Sequence, residues 1–399
     1  MTIQTKQRID LFLGMILLVL VRLPVVALGF LLRRDHSPIV KGDILVIKMQ
    51  GGGSLVLAFP ALLSIKRRYH NSRLLLLTTR SVAQFGESLG VFDEVICVDD
   101  RKMYRLFLSG LRALWRCFRV DTVLDFEVYS RLTTVFSVLT AARNRIGFYL
   151  ESAFWRKGLH THLVFFNRFA SVHYFYEQVA QLLDAPIVPF EVRAEEFIRG
   201  LASEEKKGRN KRIAIGHACS EMGAERMLTA DQWLSFFLGQ GITCEEFAFL
   251  GAKCDYRLAQ DIIEKVATHF PVASFKNLCG LLTLAQSIAY INSSDEFWGI
   301  DSALLHYARL LGKKTVSFWG PTDPMTRLGN SPQVSSEIYY RKVPCSPCIH
   351  VAESPPCGGQ NLCIQGLFNG DAGTPVVEMR TLRSIRCKDR VDPERGQNL

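Results

Sequence analysis

Ile44–Met49 reads ILVIKM, the turn Gly51-Gly52-Gly53 follows one residue later, and SLVLAFPALLSIKRRY occupies 54–69. The first run is short, apolar and β-branched, with no polar alternation. That is how a parallel strand buried on both faces reads. The last run carries its apolar residues at helical spacing. Strand, glycine turn and helix together open an α/β unit.

Outward from that unit the pattern repeats. LLLLTT (Leu74–Thr79), a helix around Ser81–Leu89, VFDEVICVD (Val91–Asp99), a helix around Met103–Phe118 and DTVLDFE (Asp121–Glu127) follow in order. Alternation of this kind predicts a doubly wound parallel sheet. Right-handed crossovers put all the strand carboxyl ends on one edge, where ligands bind. The pattern weakens over 186–210, where Pro186, Pro189 and the charged stretch Ser203–Arg212 read as a linker. A second series then runs through RIAIGHA (Arg212–Ala218), a helix after Thr229 with Gln232 at the capping-box position, EEFAFLGA (Glu245–Ala252), a helix to His269, PVASFKN, a helix over Leu282–Ala289, a strand ending near Asp295, and TVSFWGP (Thr315–Pro321). The 399 residues exceed one ordinary core, and two α/β domains of about 150–200 residues fit them. The fold class predicted is α/β, with two Rossmann-like domains facing a cleft. Residues 1–40 form an N-terminal segment, 41–190 and 205–375 the two domains, and 380–399 a polar tail that frays.

The N-terminal segment, IDLFLGMILLVLVRLPVVALGFLL over Ile9–Leu32, is long enough to span a bilayer. No small-residue cleavage site follows it, which disfavours a signal peptide. Arg22 and Pro24 complicate a simple span. Lys6 and Arg8 on one flank and Arg33 and Arg34 on the other mildly favour a segment that dips into one leaflet, with both ends on the cytoplasmic side. Three readings stand: a kinked span, a one-leaflet anchor and a helix buried in the body. The net charge of +10 is spread, with no run dense enough for a nucleic-acid arm. It reads as a solvated surface, or as an N-terminal half that meets anionic headgroups or a phosphorylated acceptor.

Most of the eleven cysteines sit singly in apolar segments, as small hydrophobes do. Four cluster as Cys345-x2-Cys348-x8-Cys357-x5-Cys363, with His350 between them. A structural zinc suits such a knuckle in the cytoplasm, and disulfides suit it in an oxidising compartment.

The triple glycine lacks the GxGxxG spacing, and no acidic residue closes the second strand, so a nicotinamide dehydrogenase is disfavoured. By residue type the turn needs positive φ or brings backbone close to a ligand. The C-terminal half is more specific. Asp301-Ser302-Ala303-Leu304-Leu305-His306 opens a helix, and LLGKKTVSFWGPTDP ends at Gly320-Pro321-Thr322-Asp323-Pro324. This resembles the D-[ST]-G-x-x-H and G-P-T-D-P pair of the ADP-heptose:lipopolysaccharide heptosyltransferase family. ILVIKMQGGGSLVLAFPAL resembles that family's opening, Gly280–Leu284 its segment before the penultimate helix, and Val123–Phe148 its fourth strand, acceptor-side helix and R-x-G-F close. The resemblance covers about 41–370.

The resemblance implies a GT-B fold and an inverting, metal-independent transfer with no catalytic cofactor. The nucleotide sugar, ADP-heptose or similar, binds the C-terminal domain and the saccharide acceptor the N-terminal one. Carried over by motif, Ser220, Arg226, Asp255, Asp301, Ser302, His306, Thr322 and Asp323 belong to the donor side. Gly52, Gly53 and Arg131 belong to the acceptor side. Amides at the start of the helix after Asp301 would face the diphosphate, and Arg226 would neutralise it as it departs. The sequence departs from the family twice. Ala303 replaces the glycine of DSG. Ser54 stands where the family has its general base, an aspartate, and a serine hydroxyl is far too weak to deprotonate a sugar alcohol unaided. Glu127, ending a strand at the same edge, is the replacement base expected. The function expected is transfer of a sugar to a lipopolysaccharide or other envelope glycan at the cytoplasmic face of the inner membrane. A catalytically inactive sugar-nucleotide-binding scaffold is the competing reading.

Overall fold

The structure is a computed structural model that describes residues 3–201, 204, 210–219, 221–329, 334–349, 355–357 and 361–368. Ser220, His350 and the tail from 369 onward, all named above, lie outside the described residues.

Helix α1 (Ile3–Leu32) precedes everything else. The first sheet and its helices are β1 (Ile44–Ile47), α2 (Gly52–Arg68), β2 (Leu74–Thr79), α3 (Arg80–Leu89), β3 (Glu94–Val98), α4 (Met103–Arg116), β4 (Thr122–Asp125), α5 (Arg131–Leu139), β5 (Asn144–Tyr149), β6 (His162–Phe165), α6 (Val172–Leu182) and α7 (Phe190–Arg199). The second series is β7 (Arg212–Gly216), α8 (Ala230–Leu238), β8 (Glu246–Phe249), α9 (Tyr256–Ala267), β9 (Ser274–Asn277), α10 (Leu284–Ser293), β10 (Glu296–Ile300), α11 (Ala303–Leu310), β11 (Lys314–Trp319), α12 (Pro324–Leu328), β12 (Ser336–Tyr340) and α13 (Leu362–Gln365). Both sheets are wholly parallel, ordered β3-β2-β1-β4-β5-β6 and β12-β11-β10-β7-β8-β9. The two orders are the same winding. Each reverses between its first and fourth strands, which opens a crevice at the carboxyl edge there.

The strands read from the sequence are present, with ends trimmed by a few residues. One reading is corrected. Residues before Asp295 are not a strand but the last turns of α10, and the strand runs from Glu296 to Ile300. The run IAYIN is short and apolar, so periodicity alone did not separate helix from strand. The weak stretch over 186–210 also holds a helix, α7. Its Phe197 meets Phe59 of α2 at 5.5 Å between centroids and Tyr307 of α11 at 5.9 Å. One apolar core therefore runs from α2 through α7 to α11. The second sheet has its own core, in which Trp233, Phe236, Phe237, Phe247, Trp298 and Phe318 meet mostly edge-on or tilted, the arrangement their ring quadrupoles favour.

Helix α1 is not the wholly buried helix that one reading allowed. Gly14 and Leu18 are buried, Leu17, Val21 and Val25 are half-buried, and Phe12, Leu23 and Phe30 stand 70% or more exposed. The covered stripe lies on α5. A Cβ on Gly14 would come within 2.5 Å of the Arg131 Cβ, so only glycine permits this approach. The contact is polar at its start. Asp10 accepts hydrogen bonds from the N–H groups of Arg131 and Leu132 at 2.9 and 3.0 Å and from the Ser130 hydroxyl at 2.6 Å. Ser130 in turn accepts from the N–H of Thr133. Three amides that the first turn of α5 would leave unpaired are thereby satisfied. Asp10→Ala should lower the stability of the folded protein by about 1–2 kcal/mol, measured as a fall in Tm in detergent. An unchanged Tm would mean that α1 is not seated on α5.

Candidate active site

The two crevices face each other. At the first, Gly51 adopts φ 77°, the left-handed turn the sequence required. The next two glycines are closely packed against protein groups. A Cβ on Gly52 would run into the Phe85 ring at 2.3 Å, and one on Gly53 would lie 3.2 Å from His306 and 3.5 Å from the Ala303 backbone. The glycine turn is where the N-terminal half touches the start of α11. Ser54 lies in the first turn of α2, its N–H bonded to the Gly51 carbonyl at 3.0 Å.

Glu127 follows β4 across that crevice. Its Oε1 accepts from the N–H groups of Met49 and Gln50 at 2.7 and 3.0 Å and pairs with the Lys48 ammonium at 3.2 Å. The carboxylate thus ties the end of β1 to the end of β4, and its partner is Lys48 rather than Arg131. Behind it lies Asp125, fully buried. Arg156 and His160, equally buried, approach it at 3.1 and 3.4 Å, and Thr133 donates at 3.1 Å. Burial alone would raise the Asp125 carboxyl. The Arg156 charge, then His160, outweigh it and hold the group below its ordinary value. Arg156 also donates to the Glu127 carbonyl. Arg131 points elsewhere: its guanidinium lies over the Trp155 ring at 3.9 Å, while its N–H belongs to Asp10.

At the second crevice Asp301 directly follows β10. Arg226 donates from Nη1 to the Asp301 carbonyl at 2.7 Å and to its carboxylate at 3.1 Å, and His306 Nε2 approaches the other oxygen at 3.5 Å. Burial would raise Asp301, but His306 and Arg226 outweigh it and hold its carboxyl below the ordinary range. Burial pushes His306 down against the pull of Asp301. Ser302 Oγ, His306 Nδ1 and Thr322 Oγ1 are buried and have no hydrogen-bond partner among the described residues. Groups of this kind call for a ligand or water. Asp323 and Asp255 are engaged locally. Asp323 accepts from the Met325 N–H at 2.9 Å and caps α12, and Asp255 accepts from the Ala252 N–H at 2.7 Å. Thr229 and Gln232 form the capping box read from the sequence.

Sequence reading missed Arg327. It sits in α12, and its charge is felt by Asp301 and His306 on one side and by Tyr129 and Tyr176 on the other. Its place three residues past Pro324 of GPTDP was the available signal. Lys48 was read only as part of a strand. Zinc is not supported by the cysteine geometry. Cys345, Cys348, Cys357 and Cys363 are free thiols, and no group of three or more His, Cys, Asp or Glu side chains is disposed to hold a metal among the described residues. Burial pushes the Cys363 thiol up to about 12. It packs as a small hydrophobe against Gly320, where a Cβ would meet its Sγ at 2.8 Å.

Two six-stranded Rossmann-like halves, in contact through α2 and α3 on one side and α10 and α11 on the other, define the GT-B class of fold. The particular family follows from comparison. The model of glycosyltransferase family 9 (heptosyltransferase) matches residues 132–356, more than half of the chain, and the chain belongs to that family. Among solved structures it is similar to the Escherichia coli ADP-heptose LPS heptosyltransferase II, at 17% identity and TM-score 0.55 over 75% of this chain and 91% of that one. It is similar to a family 9 glycosyltransferase from Veillonella parvula, at 18% and 0.58 over 76% and 87%. The E. coli heptosyltransferase WaaC with ADP aligns at 14% and 0.59 over 81% and 96%. At these identities the likeness is one of fold. No curated protein matches the chain in sequence.

The Asp301–Arg226 pair has a signature in pH. A depressed carboxyl stabilises the fold above its unfolded value of 3.8, and that contribution is lost as pH falls through the folded value. Arg226→Gln should therefore lower Tm most near neutrality. The gap to the parent should narrow below about pH 4, where unfolded-state aspartates take up protons. A gap that widens in acid would mean the pair is not formed.

Proposed function

We propose that this chain is an inverting, metal-independent glycosyltransferase that moves a sugar from a nucleotide-sugar donor, ADP-heptose or a close relative, to a lipopolysaccharide or other envelope glycan acceptor. It works at the cytoplasmic face of the inner membrane, anchored through α1. The observation that carries the donor half is the trio of unpartnered buried groups, Ser302 Oγ and His306 Nδ1 at the start of α11, where Arg226 meets Asp301, and Thr322 Oγ1 in the turn between β11 and α12. Amides at a helix start and a fixed guanidinium make an anion site. Arg327 adds a second cation toward the same place. That a similar fold has been solved with ADP agrees with this reading.

The acceptor hydroxyl attacks the anomeric carbon as the bond to the diphosphate breaks. Negative charge grows on the diphosphate, where the α11 amides, Arg226 and Arg327 meet it. The hydroxyl proton passes to Glu127, whose Oε1 is held by two amides and Lys48. Asp301 touches no substrate in this scheme and acts as a positioning residue for Arg226 and His306. A catalytically inactive scaffold is the second reading, favoured by Ser54 standing where the family carries its base.

Ser302→Ala and Thr322→Ala each remove a hydroxyl that has no partner to strand. Both should weaken nucleoside diphosphate binding by calorimetry while Tm stays within a degree or so of the parent. Unchanged binding in both would displace the donor from this crevice.

Glu127→Gln should lower turnover by about 10²–10⁴-fold, the usual contribution of a general base, and leave donor affinity nearly unchanged. Ser54→Ala should do much less. The reverse ranking in a transfer assay would return the proton to the glycine turn, and donor binding without turnover would favour the scaffold.

A further inference from the structure

Helix α4 carries two apolar faces. Leu106, Ala113 and Cys117 pack on the first sheet. On the far side Tyr104, Leu108, Leu111 and Trp115 follow the spacing of one helix face, joined by Phe107, and all are exposed, Phe107 at 66% and Trp115 at 82%. An exposed apolar stripe of this size on a packed helix marks a surface that something covers. Arginines line one flank of the stripe. Arg105 and Arg116 meet Asp99 and Glu94, whereas Arg112 and Arg119 are exposed beside them.

Helix α1 begins beside α4. Helices α4 and α5 pack on the same face of the first sheet, with Ala113 and Phe136 in one core. Helix α1 covers α5 from outside, and Lys6 near its start pairs with Asp100 at the entrance to α4. Because α1 is seated on α5 from Asp10 to Val25, its middle cannot be surrounded by lipid tails unless the domain is immersed as well.

We infer that α1 and α4 together form one in-plane docking face that lies on an anionic bilayer, so that α1 is an interfacial helix and not a span. The inference rests on the membrane location proposed above. Aromatic and aliphatic side chains enter the headgroup boundary and the arginines meet lipid phosphates, the division of labour of an interfacial amphipathic helix. The apolar stripe fits lipid, and its basic flank selects an anionic surface over a neutral one.

The test uses the full chain with phosphatidylcholine vesicles, with and without phosphatidylglycerol, and with brominated versions of the same lipids. The parent should co-float, more strongly with phosphatidylglycerol. Brominated lipid should quench an emission component that Trp115→Phe removes. Phe107→Glu with Leu111→Glu, both exposed, should keep the parent's Tm and weaken vesicle binding by about tenfold or more. A tag before Met1 should be digested from the membrane side on which the catalytic halves are digested. Co-flotation with Trp115 unquenched would overturn the α4 face and leave the anchor standing. Failure of the parent to float would overturn the membrane reading itself. A tag digested only from the opposite side would make α1 a span. A dimer in detergent that the double variant dissolves, with Trp115 unquenched, would assign the face to a second copy.

Discussion

Asp125 ends β4 with a carboxylate sealed from solvent, and a sealed charge has to be answered by its neighbours. Arg156 supplies the charge, His160 and Thr133 close around the rest, and the Arg156 guanidinium reaches on to the Glu127 carbonyl. The loop between β4 and α5 is therefore held from beneath. Removing one partner from such a buried pair typically costs about 3–5 kcal/mol, because the survivor is stranded. The carboxyl edge of the first sheet inherits this rigidity. Glu127 can bind two amides of the β1 end only because its own backbone is fixed from the other side.

The second constraint is steric. The N-terminal turn and the C-terminal α11 approach until Gly53 lies against Ala303 and His306. The alanine in place of the family's glycine sits at this contact, its backbone 3.5 Å from where a Cβ on Gly53 would lie. Ser88 and Tyr307, joined through their hydroxyls at 2.6 Å, fasten the same interface a turn away. The unpartnered Nδ1 of His306 belongs to the residue next to Tyr307.

Strands β1 and β2 were legible almost to the residue, because a strand buried on both faces is an unbroken apolar run. The position of Glu127 at a sheet edge was legible for a topological reason: strand order sends every carboxyl end to one side. What surrounds Glu127 was not. Lys48 reads as an interruption in an apolar run, Arg156 lies in a short irregular helix, and nothing in their spacing announces that they converge. Arg131 was no more legible. Nothing at its helix start points to Trp155, 24 positions on, whose ring it stacks against. Asp10 was invisible as a cap, because its helix partner lies about 120 residues away. Thr229 and Gln232 show the contrast: a cap and its partner three residues apart can be read directly.

The placement of the tryptophans gives the molecule an uneven optical record. Trp233, Trp298 and Trp319 are all buried and all belong to the C-terminal half. The strands of the first sheet contain none. Trp115 faces outward and Trp155 lies under an arginine. Intrinsic emission will thus register the melting of the C-terminal half through three buried rings and that of the N-terminal half chiefly through Trp155. A spectroscopist who saw one cooperative transition by fluorescence would be watching the C-terminal half most of all.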